Sequence, residues 1–288
     1  MTNASKRFGL LPVFGVVLAL AACAVPGSKS AKSEDPNLVK LQQVYARYYS
    51  ISDQNFRELS CTITSPILQN AVRRIRGEFA SLGVPVSVTD TLDKYKLVYT
   101  KQDGPQISDP GIFIQPQADA KIPNPSLFHD GVNKITSGFK QMIHGNDAIV
   151  LGAFKAPKLP DVSSLSVLYV TTVGNTDNYS YTDQHDLIQV TGSISPLQET
   201  RKVHFADQDI TETGVLLATS HGKLLRTVGD MLLTTPGGSQ HIITKIHYQE
   251  IGGLEIPSEI SVSMRRDTMD FSHMDAAAEV SLSNCQVK

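Results

Sequence analysis

The histidines of this sequence are the side chains best suited to binding a metal or transferring a proton. His241 and His247 fall on the same side of one predicted strand, and a third ligand could come from His204 or His185. The His-Glu-x-x-His motif, in which two histidines one helical turn apart bind zinc, does not occur. Because dispersed histidines among strands are usually exposed or hydrogen-bonded one by one, we predict no metal site and no cofactor.

Calcium-binding, phosphate-binding and hydrolase motifs are also incomplete. Asp207, Asp209 and Glu212 could together hold calcium, but their spacing differs from that of an EF-hand loop, so we interpret them as a solvated turn. The run His221-Gly222-Lys223-Leu224 lacks the upstream glycine and the hydroxyl residue of a phosphate-binding loop. No Gly-x-Ser-x-Gly motif occurs, and no nucleophile, base and orienting group can be named. The sequence therefore predicts a protein that is not an enzyme.

The N-terminal residues indicate chemistry of a different kind. Lys6 and Arg7 precede an apolar run from Phe8 to Leu20 that is too short to span a bilayer, and the run ends in Leu20-Ala21-Ala22-Cys23. This pattern resembles the lipobox of bacterial lipoproteins. The resemblance implies that residues 1–22 are a signal peptide and that the sulfur of Cys23 carries a diacylglyceryl thioether. The alternative is an ordinary secreted protein in which Cys23 is incidental.

A short segment follows the predicted lipid anchor. Residues 23–35 are small and polar and include Pro26 and Gly27, which predicts a flexible tether that holds the folded part close to a membrane. Ala24 in place of aspartate resembles the signal that sorts lipoproteins to the outer membrane, here facing the periplasm. The formal net charge of −2 gives no electrostatic footprint for nucleic acid, so we predict no nucleic-acid partner.

Two cysteines remain besides Cys23. Because the lipobox places the mature protein in an oxidising compartment, we predict a disulfide between Cys61 and Cys285. In the chain-entropy model, closing a loop of this length stabilises the protein by roughly 5 kcal/mol. Two buried free thiols are the alternative.

Three amphipathic helices are predicted from their start signals. Asp35-Pro36, Ser65-Pro66 and Asn124-Pro125 each combine an N-cap residue with a proline at the first helical position, and an apolar stripe follows each of them. Gly83 and Gly145 are expected to end the second and third helices, and the apolar run after Gly145 is too short to assign. The predicted helices span about 36–50, 66–82 and 125–144.

Strands dominate the rest of the chain. From Leu165 onward, short segments rich in β-branched and aromatic residues alternate with turn residues, and no helix of three turns fits between them. Successive strands must therefore pair antiparallel as a meander. Gly252-Gly253 joins the clearest pair, and in its second strand the apolar residues alternate with Pro257 and polar residues, which predicts one apolar and one solvated face. Strands are expected near 84–89, 94–100, 111–115, 165–173, 187–191, 201–206, 215–219, 231–235, 241–249, 256–264 and 279–282.

The predicted fold is thus α+β, with a large curved antiparallel sheet and about three helices in a single domain, 36–288. The element order and the closing pattern Ile246-His247-Tyr248 … Gly252-Gly253-Leu254-Glu255-Ile256-Pro257-Ser258-Glu259-Ile260 resemble the periplasmic lipoprotein-carrier superfamily of LolA, LolB and related lipid-binding lipoproteins. The resemblance implies a half-open barrel that wraps helices on its concave face. It also implies an apolar cavity between sheet and helices that takes up acyl chains or lipids.

Five apolar side chains are the candidates for ligand binding. Phe139 and Met142 belong to the third predicted helix, and Ile260, Val262 and Met264 to the last hairpin. If the helices leave part of a curved sheet uncovered, these residues line a hollow that accepts an acyl chain. The alternative is that they pack together as ordinary core.

Two functions follow from this sequence. We predict a membrane-tethered cell-envelope lipoprotein that binds a lipid or an acyl chain. The alternative is a non-enzymatic lipoprotein without a cavity, which recruits another envelope protein for assembly through a sheet edge or an outer face.

Overall fold

The computed structural model describes residues 35–118, 121–122, 124–268 and 273–288. The predicted signal peptide, the predicted acylation site Cys23 and all but the last residue of the predicted tether lie outside the described residues. Within those residues the chain forms three α-helices and fourteen β-strands, so the predicted α+β class is confirmed.

All three helices begin where their sequence signals predict. The side chain of Asp35 accepts a hydrogen bond from the amide of Asn37 at 2.9 Å, and Asn124 accepts one from the amide of Leu127 at 3.2 Å. A proline without an amide hydrogen occupies the first position of each helix, where that donor would have no partner. The helices are α1 (Pro36–Tyr45), α2 (Pro66–Ser81) and α3 (Pro125–Ala153).

The strands cover most of the remaining described chain. They are β1 (Glu58–Thr64), β2 (Val86–Asp90), β3 (Lys96–Thr100), β4 (Gly104–Ile107), β5 (Ile112–Pro116), β6 (Leu165–Val173), β7 (Thr176–Asp183), β8 (Ile188–Ile194), β9 (Gln198–Phe205), β10 (Gln208–Ala218), β11 (Leu224–Thr235), β12 (Gly238–Ile251), β13 (Leu254–Thr268) and β14 (His273–Val287).

Twelve of the described strands form one antiparallel sheet. Its order is β4-β3-β1-β14-β13-β12-β11-β10-β9-β8-β7-β6, while β2 and β5 pair separately. From β6 to β14 each strand pairs with its neighbours in sequence, so the predicted meander is confirmed. Gly252 and Gly253 form the turn between β12 and β13 and both have positive φ, as a tight hairpin turn requires. Among the described residues the sheet is open, with β4 and β6 as its edges.

The sequence analysis misses three strands, β1, β4 and β7. β1 is the most consequential of them, because it lies between β3 and β14 and thereby joins the N-terminal strands to the end of the meander. Its buried residues, Leu59, Cys61 and Ile63, alternate as a strand requires. Only three such positions fit between the preceding turn and α2, which is too few for a periodicity argument to detect.

The two cysteines face each other across β1 and β14. Their sulfur atoms are 2.11 Å apart, which is a bonded distance for the predicted pair Cys61 and Cys285. At this point β1 contributes one residue and β14 two, because the register shifts between Ser60↔Gln286 and Thr62↔Ser283. The extra residue, Asn284, has a φ of 50°, a conformation that asparagine tolerates better than most residues. The bond therefore links β1, the first strand in the sequence, to β14, the last one.

One face of the sheet, which we call the inner face, carries two apolar cores. The disulfide core joins α2 and α3 with the neighbouring strands β4, β3, β1, β14 and β13. The tyrosine core joins α1 with the strands β6 to β11. Buried residues of the disulfide core include Leu59, Cys61, Leu68, Val72, Leu97, Phe139, Ile143, Val150, Ile260 and Val280. Those of the tyrosine core are Leu41, Val44, Tyr48, Val170, Tyr179, Tyr181, Ile188, Val190, Ile194, Val203, Leu216 and Leu224.

The third helix is longer than predicted. Gly145 was expected to end it, but α3 continues to Ala153. Both Gly145 and its neighbour Asn146 are buried, and Asn146 Nδ2 donates a hydrogen bond of 3.0 Å to the Ser65 hydroxyl at the start of α2. Packing between two helices thus outweighs the helix-ending tendency of glycine, which is only about 1 kcal/mol.

The first helix is shorter than predicted and ends at Tyr45 rather than near Ser50. The chain after it is held by other backbone groups: the amide of Tyr49 donates to the carbonyl of Leu224 at 2.9 Å, and the amide of Leu224 donates to the carbonyl of Arg47 at 2.8 Å. The hydroxyl of Tyr49 also accepts a bond of 3.0 Å from the amide of Glu255. Residues 46–51, which we call the connecting segment, are therefore attached to β11 and to the start of β13.

Candidate functional site

A cavity of about 520 Å³ lies between the two cores. The inner face of β9–β14 forms one wall, the last turns of α3 form a second wall, and the connecting segment forms a third. Its position follows from the helices: α2 and α3 cover the disulfide core and α1 covers the tyrosine core, but no described helix fills the space between them.

The sheet wall is made of rows of residues that face one another across neighbouring strands. One row joins Gly229, Thr244, Val262 and Ala278 through successive pairs on β11 to β14. All four residues line the cavity, and all are small or medium-sized. Because side chains of this size do not reach the helix, the space between sheet and helix stays open.

The structure brings two of the five predicted ligand-binding residues into the cavity wall. Val262 and Met264 line it, in agreement with the strand alternation. Ile260 points to the same side of β13 but is fully buried in the disulfide core, beyond the end of the cavity. The sequence could not distinguish these positions, because alternation determines the face of a strand and not how far the covering helix extends over it.

The two predicted helix residues lie elsewhere. Phe139 is fully buried in the disulfide core, and Met142 packs against that core from a partly buried position. The helix wall instead consists of Ala148, Ile149 and Gly152 with Ala153, one to three turns further along α3. These residues were missed because α3 was expected to end at Gly145; the signal that could have found them is the apolar run Ala148–Phe154.

A β-bulge adds two unexpected residues to the sheet wall. Strict alternation places Glu255 and Pro257 on the face opposite Val262, and Pro257 was expected to face solvent. The register between β12 and β13 shifts by one residue between His247↔Glu259 and Tyr248↔Pro257, so both Glu255 and Pro257 line the cavity. The prediction of a solvated Pro257 is therefore wrong, and Pro257 is buried.

The wall next to the tyrosine core contains an ion pair between the buried Glu199 and the half-buried Arg226. Arg226 Nε donates a hydrogen bond to one carboxylate oxygen of Glu199, and the hydroxyl of Tyr48 donates to the other. Burial, followed by the charge of Glu199, raises the pKa of Tyr48 far above its usual value, so this hydroxyl stays a donor. Gly214 lies opposite Glu199, and a Cβ at Gly214 would collide with the carboxylate. Sequence reasoning missed this pair, although a glycine inside a strand is a known sign of such close approach.

A second ion pair, Arg201 with Glu212, lies directly on the cavity wall. Arg201 Nη1 is 3.5 Å from the Glu212 carboxylate, and the Nε of Arg201 is buried without a hydrogen-bond partner among the described residues. Burial lowers the pKa of this guanidinium, but Glu212 together with the neighbouring Tyr181, Tyr45 and Tyr179 outweighs that effect and holds the pKa above its ordinary value. Arg201 is therefore a permanent cation with unused donors. The sequence analysis did not single it out.

Two of the histidines considered as metal ligands in the sequence lie apart from each other, each beside its own carboxylate. His241 Nε2 is 2.6 Å from Asp230, and His204 Nδ1 is 2.8 Å from Asp209, so each is paired with a single carboxylate. No group of three or more His, Cys, Asp or Glu side chains converges as a metal site in the part of the chain that the structure describes. In the same part, no helix combines the length and the hydropathy needed to cross a membrane.

Comparisons of the chain with protein-family models, with curated proteins and with solved structures find no match. No ligand, substrate or partner can therefore be carried over from a relative. A function for the cavity has to come from its own geometry and chemistry.

Proposed function

We propose that the protein is a membrane-tethered cell-envelope lipoprotein that binds a lipid or an acyl chain in this cavity. The observation that carries the proposal is a cavity of about 520 Å³ whose sheet and helix walls are largely apolar. Pockets for small molecules typically measure about 300–1,000 Å³ and have apolar walls with a few polar groups. Each methylene group that leaves water for such a site contributes roughly 0.8 kcal/mol.

The composition of the walls supports a cavity that persists. Ala276 and Ala278 on β14, Gly229 on β11, and Ala148 and Gly152 of α3 all line the cavity, so both the sheet wall and the helix wall contain small residues. Alanine and glycine are unfavourable inside strands, and three consecutive alanines from 276 to 278 have no evident role in sheet stability. Small side chains at these positions leave the cavity open, which gives a reason for the three alanines.

The curvature of the sheet and the position of α3 relative to it are part of the same proposal. We expect the open sheet to curve so that the inner face is concave and α3 lies within it, as in the half-open barrel that the sequence resemblance implies. The lipobox at Leu20-Ala21-Ala22-Cys23 supports a lipid anchor, and Ala24 supports the outer membrane as its location. A lipid-binding cavity on a short tether would act at the membrane surface.

Native mass spectrometry of soluble protein that starts at Ala24 tests the binding function. We expect a fraction of wild-type molecules to carry a co-purified lipid. Met264→Trp should reduce this fraction because the indole occupies cavity space, whereas Ser263→Trp, on the exposed face of the same strand, should leave it unchanged. The sequence has no native tryptophan, so the fluorescence of the new residue reports whether each variant is folded as intended.

The outcome that contradicts the proposal is also defined. Wild-type protein that carries no lipid after gentle purification, and takes up no fluorescent fatty acid, would show that the cavity is not a lipid site. A loss of many degrees in Tm for Met264→Trp would show that Met264 is ordinary core.

One observation favours the alternative of an assembly partner. The edge strand β6 exposes Tyr169 and Val173 by 59% and 71%, and its free backbone groups could accept a strand from another protein. If this alternative holds, the purified protein carries no lipid, and substituting proline for Thr171 abolishes capture of a specific envelope protein.

A further inference from the structure

The inner face carries one row of residues that changes from charged to apolar along its length. The row crosses six neighbouring strands, and each member is the direct cross-strand partner of the next. Every member lines the cavity. From β9 to β14 the members are Arg201, Glu212, Met231, Ile242, Met264 and Ala276.

The length of this row gives the cavity two distinct ends. Neighbouring strands lie about 4.8 Å apart, so the five steps from Arg201 to Ala276 span roughly 24 Å. Arg201 and Glu212 occupy one end, and the four residues that follow have no charge. A ligand that satisfies both ends must have a polar head and a long apolar chain.

The two arginines near the polar end differ in how fully the protein satisfies them. Arg226 is bonded to Glu199, and the second oxygen of Glu199 is taken by Tyr48. Arg201 lies within hydrogen-bonding reach of Tyr181, but its contact of 3.5 Å with Glu212 is long for a charge-assisted hydrogen bond, and its Nε has no partner among the described residues. A guanidinium has five donors, so Arg201 keeps capacity for an external acceptor.

The groups around Arg201 also favour a ligand whose head group accepts hydrogen bonds rather than one whose head group donates them. Tyr45, Tyr179 and Tyr181 lie close enough to interact with its charge, and burial raises the pKa of Tyr45 and of Tyr179 to about 12. Burial also raises the pKa of Tyr181, so all three hydroxyls are neutral at physiological pH and add no negative charge. Glu212 is the one carboxylate that contacts Arg201 in the described structure, and it is already used as its counterion.

We propose that the ligand is a single-chain amphiphile with an anionic head, a carboxylate or a phosphate, which binds Arg201 while its chain runs along the row towards Ala276. This assignment rests on the proposed function, because it specifies which class of lipid the cavity accepts. A cationic head would place a second positive charge beside Arg201, and a hydroxyl head could accept fewer and weaker bonds from it.

Displacement of the neutral dye N-phenylnaphthylamine from the protein that starts at Ala24 tests the head group. Hexadecanoate, hexadecanol and hexadecyltrimethylammonium share one chain length and differ in head charge. We expect hexadecanoate to compete about tenfold or more better than either of the others, because hydrogen bonds to charged groups contribute about 1.5–3 kcal/mol. A lysophosphatidylglycerol with the same chain distinguishes the source: if it competes better than hexadecanoate, the head is a phosphate from a phospholipid rather than a free fatty acid.

Two variants connect the preference to the proposed residue. Arg201→Gln should remove most of the preference for hexadecanoate and leave the competition by hexadecanol unchanged. Lys202→Gln removes a positive charge from the neighbouring residue, which is exposed and faces away from the cavity, and should change neither competition.

The possible failures are distinguishable. If the dye binds but all three head groups compete equally in the wild type, the assignment to Arg201 is wrong and the lipid-binding function stands. If neither the dye nor any competitor binds, the lipid-binding function itself is wrong. Should Arg201→Gln fail to fold, the comparison of head groups on wild-type protein decides the matter by itself.

Discussion

The disulfide core and the tyrosine core fill the same face of one sheet in different ways. In the disulfide core, two helices of 16 and 29 residues cover the strands, and the interior is mostly aliphatic. In the tyrosine core, a single helix of 10 residues is available, and large polar side chains fill the remaining space. Tyr48, Glu199 and Arg226 satisfy one another there.

This difference shows how the cavity arises. A short helix cannot cover many strands, so long side chains such as Tyr48 and Arg226 extend over the inner face near α1. The last turns of α3 reach the other side with Ile149 and three small residues, Ala148, Gly152 and Ala153. The cavity is the space that neither the side chains near α1 nor those of α3 occupy. Its end next to the tyrosine core is polar, and its end next to the disulfide core is apolar.

Removal of the disulfide should produce the largest effect and should act on the disulfide core. The bond joins residues 224 positions apart, and the chain-entropy model gives a loss of about 5 kcal/mol in the free energy of unfolding. Urea denaturation of Cys61→Ser with Cys285→Ser, compared with the wild type, measures the loss. Hydrogen exchange should show β1 and β14 losing protection before β7 and β8. Equal stability of the two proteins would mean that the bond does not form.

Glu199→Ala should produce the next largest effect and should act on the tyrosine core. It leaves the partly exposed Arg226 without its counterion and Tyr48 without its acceptor; breaking a fully buried ion pair costs about 3–5 kcal/mol, and the exposure of Arg226 lowers the expected loss below that range. Glu250→Ala, at an exposed position on β12, is the control and should change stability by less than about 0.5 kcal/mol. If thermal denaturation gives the two variants the same Tm, the ion pair contributes nothing to the core.

Asn146→Ala should have a smaller effect, because it removes one neutral hydrogen bond between α2 and α3. Loss of the bond from Asn146 Nδ2 to Ser65 should lower the free energy of unfolding by about 1–3 kcal/mol. Gln141→Ala, at an exposed position on the same helix, controls for the change in side-chain length. Because Asn146 lies just before the helix wall, the variant should also weaken dye binding; full retention of both properties would show that α3 is positioned by other contacts.

A pH dependence above pH 10 should be the smallest effect, since it is absent at neutral pH. Burial raises the pKa of Tyr45 and of Tyr179 from 10.0 to about 12, so the folded protein retains protons that the unfolded chain releases. The free energy of unfolding should therefore be constant in this respect below pH 10 and fall as the pH rises towards 12. Urea denaturation from pH 8 to pH 11 measures the slope, which Tyr179→Phe should reduce. An unchanged slope in that variant would contradict the assignment.

Local signals in the sequence predict most of the elements. An N-cap residue followed by proline predicts the start of each helix, and Gly252-Gly253 predicts the last hairpin. These signals succeed because the interactions involved lie within four residues of each other. Absence of an intervening helix also predicts the meander. Lipidation at Cys23, the membrane location and the binding function stay predictions.

Interactions between distant residues decide what the sequence analysis misses. Gly145 looks like a helix end, but the bond between Asn146 and Ser65 joins residues 81 positions apart and keeps α3 helical through the turns that line the cavity. Likewise, β1 is a strand because β3 and β14 flank it, and its own seven residues contain too little periodicity to show it.

By itself, the sequence determines which residues of each strand can share a face, because side chains alternate along a strand whatever surrounds it. Only the tertiary structure decides which residues of different strands stand side by side. The register across six strands places Arg201 in one row with Met264 and Ala276, and a single bulge moves Pro257 to the cavity wall. Register is a property of pairs of strands, so no pattern within one strand can reveal it.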